Sequence, residues 1–191
     1  MKSKKHGMTL LEALVASSIT VTVLGTAMTV WLATARSWTR GSGKIDAETQ
    51  SRKAVRTITD ELAAAMDVAV DGNGLGITFH VPKKDNNGDY AVDVLGQPVS
   101  DGVDRRFYLS NGKILYYDGG GTRTIARNVI TTDPLSNGGS QAYKIFVPGQ
   151  GAITRQVTVM VATRTSGPGK EQVTGRKREI VFLRNIYNTN R

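Results

Sequence analysis

Between Glu12 and Arg36 the chain carries 23 consecutive residues without a charged side chain. At about 1.5 Å of rise per residue they make roughly 34 Å of helix, enough to cross a hydrocarbon core about 30 Å thick. Lys2, Lys4, Lys5 and His6 stand ahead of the run, and Arg36, Arg40 and Lys44 follow it. Three lysines in so short a tail favour an N-terminus kept in the cytoplasm and a chain delivered to the far side, against the pull of the later cations. A secretory peptide also has a basic start and an apolar core, but that core usually spans about 7–15 residues. The small-residue cleavage candidate, Ala33-Thr34-Ala35, lies at the far end of the run.

Glu12 is the anomaly at the start of this segment. A carboxylate costs roughly 2.5–3.5 kcal/mol at the bilayer centre and less near its edge. It therefore lies in the headgroup zone or has a partner. The order Lys5-His6-Gly7-Met8-Thr9-Leu10-Leu11-Glu12 resembles the processing site of the type IV pilin superfamily, which includes pilins, minor pilins and the pseudopilins of secretion systems. The resemblance implies cleavage after Gly7 by a prepilin peptidase and methylation of the new N-terminus at Met8. The family usually has Phe after the cut; Met8 departs from that but stays apolar. Glu12 holds the place of the family's fifth mature residue. Cleavage would expose an amine on Met8, and Glu12 of one subunit could neutralise that amine on a neighbour, so that two costly isolated ions become a pair. Assembly would then rest on Glu12 and on burial of Leu10, Leu11 and Leu14 against other subunits. A single unprocessed chain is expected to leave Glu12 unsatisfied.

After the membrane-length run, Arg36-Ser37-Trp38-Thr39-Arg40-Gly41-Ser42-Gly43 has an interfacial composition, and its glycines predict a break or kink. Helical periodicity resumes with Ile45, Val55, Ile58, Leu62, Ala65, Met66 and Ala69, opposite a charged face that includes Arg52, Lys53, Arg56 and Asp60. One apolar stripe of this kind should lie on a sheet. Strand signals follow at Gly76–Val81, at Arg106–Ser110 and Lys113–Tyr117 around Asn111-Gly112, and at Arg155–Arg164 with Arg178–Ile186. The expectation is an α+β chain: leader 1–7, transmembrane and assembly helix 8–35, amphipathic continuation 36–71, and a β-rich domain 72–191. The long N-terminal spine helix would pack on an antiparallel sheet, which is the layout of the resembled family. Arg52-Lys53-Ala54-Val55-Arg56, Asp60-Glu61-Leu62, Arg127-Asn128-Val129 and Val181-Phe182-Leu183-Arg184-Asn185 look like the minor pilins and pseudopilins that prime assembly or sit at a filament tip.

The sequence offers no catalytic centre, metal site or cofactor. There are no cysteines, so thiolate metal sites and disulfides are excluded, and an exported domain must hold by packing alone. His80 sits in an alternating strand with no nucleophile elbow and reads as structural. Asp85-Asn86-Asn87-Gly88-Asp89 resembles a calcium loop in its oxygen side chains but lacks the closing Glu, which favours a polar turn. The net charge is +9, or +6 once Lys2, Lys4 and Lys5 leave with the leader, a balance that attracts anionic lipid or nucleic acid without specificity. Arg176, Lys177 and Arg178 cluster in the last strand. They read as a solvated strand end or, in a DNA-uptake filament, as a DNA contact, although no aromatic residues interleave to stack bases. The expected partners are the prepilin peptidase, other pilin or pseudopilin subunits, the membrane assembly platform and membrane lipid. The alternative is an exported enzyme or receptor for which the N-terminal helix is only an anchor.

Overall fold

The computed structural model describes residues 9–132, 142–150, 154–166 and 172–184. The chain divides into two compact units, one ending at Ser42 and the other beginning at Gly43. Helix α1 runs over Leu10–Ala63. The expected break does not occur: the helix continues through Arg36–Gly43, where Thr39 and Ser42 donate to the carbonyls of Arg36 and Thr39. Two glycines cost such a helix about 1 kcal/mol each relative to alanine, which weakens it without interrupting its hydrogen bonds.

Eight strands follow: β1 (Asp67–Val70), β2 (Gly76–His80), β3 (Arg105–Ser110), β4 (Lys113–Tyr117), β5 (Thr122–Ala126), β6 (Phe146–Pro148), β7 (Gln156–Ser166) and β8 (Gln172–Phe182). They form an antiparallel sheet in the order β1-β2-β3-β4-β5 and a second in the order β6-β7-β8. The architecture is α+β, with the spine helix packed on sheet. Gly43, Ala47, Ser51, Ala54, Val55, Ile58 and Leu62 form the buried stripe of α1. Their spacing of three and four residues keeps them on one helical face. From Ala54 onward the stripe joins a single core with Ile77, Phe79, Phe107, Ile114, Phe146, Val157, Val159 and Val161. Phe79, Phe107 and Tyr116 stack across β2, β3 and β4, with ring centroids 5.6 Å apart for the first pair and 4.5 Å for the second.

The helix backbone comes close to the sheet at one rung of the β7–β8 ladder. Thr163 and Gly175 pair there, and the buried Thr163 hydroxyl donates to the Ala47 carbonyl at 2.8 Å. A Cβ at position 175 would fall against the backbone of Ala47 and Glu48. At the other end of the amphipathic segment, Glu61 accepts from Arg123 at 2.9 Å and from the Tyr116 hydroxyl at 3.2 Å, and Arg123 lies over the Tyr116 ring. Burial, followed by the Glu61 charge, pushes the Tyr116 hydroxyl up to about 12.

The Asn111-Gly112 hairpin forms as expected, with φ of 49° and 68° at its two central residues, the left-handed pair that a type I′ turn requires. Other boundaries differ from the sequence reading. The helix ends at Ala63 rather than near residue 71, closing with short bonds from Ala64 to Glu61 and from Ala65 to Leu62. Ala65, Met66 and Ala69 fit helical spacing, but Val68 and Val70 also fit strand alternation, and pairing with β2 decides for the strand. β8 begins at Gln172, not Arg178, because its charged residues are tolerated on an edge strand. Strands β1, β5 and β6 add to those that the sequence predicts.

Candidate assembly segment and associated polar sites

Thr9 and Glu12 enclose the first turn of α1. The Thr9 backbone N–H and hydroxyl both donate to Glu12 Oε2, at 2.9 and 3.0 Å, and the Glu12 N–H returns a bond to Thr9 Oγ1 at 3.3 Å. This is a capping box: the threonine hydroxyl satisfies an orphan helical donor, while the glutamate three residues on reaches back to the cap. The expectation that a lone chain leaves Glu12 unsatisfied is thus corrected. Its carboxylate has local donors without any neighbour. The Ser/Thr-x-x-Glu/Gln signature was present at Thr9-Leu10-Leu11-Glu12 and identifies Thr9 as the overlooked member of this site.

Leu10, Leu11 and Leu14 are 84%, 74% and 61% exposed, and the membrane-length part of the helix buries nothing within its own chain. Seven hydroxyl residues interrupt this apolar surface: Ser17, Ser18, Thr20, Thr22, Thr26, Thr29 and Thr34. Each turns its hydroxyl back to a carbonyl three or four residues earlier, at 2.7–2.9 Å. Hydroxyls satisfied within their own helix can enter an apolar medium without orphaned donors. The helix is therefore long and apolar enough to cross a membrane. Gly7 and Met8, the expected cleavage and methylation positions, lie outside the described residues.

His80 on β2 is held between two carboxylates, with Nδ1 2.7 Å from Asp67 Oδ1 and Nε2 2.6 Å from Asp104 Oδ1. An ionised carboxylate only accepts, so both contacts are hydrogen bonds at once only when the ring is an imidazolium. In that form neither nitrogen is left to take a proton from a nucleophile. The flanking acids come from β1 and from the segment before β3, at separations too long to read in one strand. Burial opposes the charged ring, but the hydrogen bonds and charges of Asp67 and Asp104 outweigh it and raise the His80 pKa. With a raised folded-state value, the stabilisation is complete below the ordinary imidazole pKa of about 6.5 and fades as pH rises through the folded value. Urea midpoints of the native protein and of His80→Gln should differ at pH 5.5 and converge toward alkaline pH. A difference that widens with pH would exclude this clamp.

Asp85 spends its carboxylate on its own turn, accepting from the Asn87 and Asp89 amides at 2.9 and 3.0 Å, with Gly88 at a φ of 90°. Asp93 does the same for Leu95 and Gln97. Among the described residues no group of three or more His, Cys, Asp or Glu side chains is arranged to hold a metal. The basic cluster of the last strand is divided by strand alternation: Arg176 and Arg178 share one face of β8 and Lys177 takes the other. Compared with family models, curated proteins and solved structures, the chain matches none.

Proposed function

We propose that this chain is a prepilin-like structural subunit, a minor pilin or pseudopilin of a type IV pilus, secretion or DNA-uptake filament. In this reading a prepilin peptidase cuts after Gly7 and methylates Met8. The subunit waits in the cytoplasmic membrane with its β-rich domain outside the cytoplasm, and it assembles through α1. The observation that carries the reading is the contrast within one helix. Its Leu10–Ala35 part exposes apolar surface all round, whereas its Ala47–Leu62 part buries a stripe against its own sheet. Such a helix leaves half its length for lipid or for neighbouring helices to cover.

Glu12 keeps an assembly role under this proposal. Both Thr9 donors use Oε2, and Oε1 is the oxygen a neighbour's Met8 amine would meet. Cap and pair are then successive states of one carboxylate. The test is mass spectrometry of the mature N-terminus together with the fate of Glu12→Ala. A methylated Met8, with the variant processed but excluded from filaments, is expected. An intact Met1 would leave the helix as an anchor only.

A further inference from the structure

We propose that the groove between α1 and the outer edge of β5 receives an extended, carboxylate-rich segment of a partner protein, added as a strand beside β5. Strand β5 closes the five-stranded sheet and pairs only with β4, so among the described residues its outer edge has no strand partner. A groove of about 410 Å³ lies along it, lined by Gln50, Lys53 and Thr57 from the helix and by Arg123, Ile125 and Arg127 from the strand side. Residues 50, 53 and 57 fall three and four apart and form one flank of α1, beside the buried stripe.

The charge and shape of the groove select the occupant. Arg123 is held by Glu61 at 2.9 Å, while Lys53 and Arg127 make no ion pair among the described residues and are exposed. Arg123 lies in β5 and Arg127 directly after its end, with the register irregularity opposite Ile114 and Leu115 between them, and the helix flank runs for about 10 Å beside them. The cations are therefore strung along a line rather than gathered around one point, which suits spaced carboxylates better than a single phosphate. No aromatic side chain lines the groove, so it lacks the platforms on which single-stranded nucleic acid stacks. Main-chain bonding along a sheet edge, with side-chain pockets for alternate residues, is an established mode of peptide capture.

This inference does not rest on the filament reading and survives or fails whatever the N-terminus proves to be. The experiment uses the full chain in detergent micelles and a fluorescein-labelled six-residue peptide alternating glutamate and valine. Fluorescence anisotropy should show binding, and hydrogen exchange should slow at β5 amides. Lys53→Glu and Arg127→Glu should each weaken binding about tenfold, Lys53→Gln and Arg127→Gln less, and Arg178→Glu on β8 should leave it unchanged. Equal weakening by Arg178→Glu, displacement of the peptide by millimolar inorganic phosphate, or tighter binding of an oligothymidine would each overturn the proposal. So would binding without protection of β5.

Discussion

Gly175→Ala is expected to destabilise the sheet domain by about 3 kcal/mol or more, through overpacking that side-chain rotation cannot relieve. An added methyl would press on the backbone of Ala47 and Glu48, so the helix itself must move. Moving it would lengthen the Thr163–Ala47 hydrogen bond and loosen the small-residue stripe of Ala47, Ser51 and Ala54. The φ of Gly175 lies outside the left-handed region, so the substitution tests space and not backbone freedom. For a domain of this size the melting temperature should fall by roughly 6–12 °C. Thr163→Val, which removes the hydroxyl but keeps the volume, should cost about 1 kcal/mol. Near-native melting of Gly175→Ala would show that the helix does not sit this close to the sheet.

Phe107→Ala should have an effect of similar size, about 3–5 kcal/mol, for a different reason. Phe107 is fully buried and is the middle ring of the Phe79–Phe107–Tyr116 stack. Its removal opens a cavity between β2 and β4 under the helical stripe and leaves two rings without their shared neighbour. Phe107→Leu should recover part of the loss, because much of the volume returns while the stacked geometry does not. Denaturant midpoints with an unchanged m-value would report this as stability rather than as altered compactness. Equal losses for leucine and alanine would argue that ring stacking, not volume, holds this centre together.

Much of this fold was legible because several segments carried signals that could be satisfied in only one way. The uncharged run after Glu12 demanded a long helix, and Asn111-Gly112 demanded a hairpin with two left-handed residues. The helical stripe through Val55, Ile58 and Leu62 demanded a sheet, although Ile45, which fits the same spacing, stays exposed. The segments that were not legible are compatible with two conformations. Ala65-Met66-Asp67-Val68-Ala69-Val70 satisfies both helical and strand spacing, and only pairing with β2 selects the strand. Thr122–Ala126 is short and polar enough to pass for a loop, yet it forms the sheet edge.

The polar sites divide in the same way. The Thr9–Glu12 box is local and legible in four consecutive residues, while the cost of a carboxylate in a membrane points equally to a distant partner. The His80 clamp joins residues 67, 80 and 104 and could not be read without the fold. The groove beside β5 depends on helix and strand faces separated by some seventy positions.

The seven hydroxyls that bend back onto the helix have a consequence for anything that lies beside it. A surface whose polar groups are all spent internally offers a neighbour methyl groups and a ring but no directional bond. Between two such helices no hydrogen bond along the run then selects one axial offset over the next, and packing of side chains alone does so. Charge can act on that offset only at the ends of the run, where Glu12 and Arg36 stand 24 positions apart as its charged boundaries. The middle of the helix supplies adhesion and shape, while charge bears on position along the axis only at its two margins.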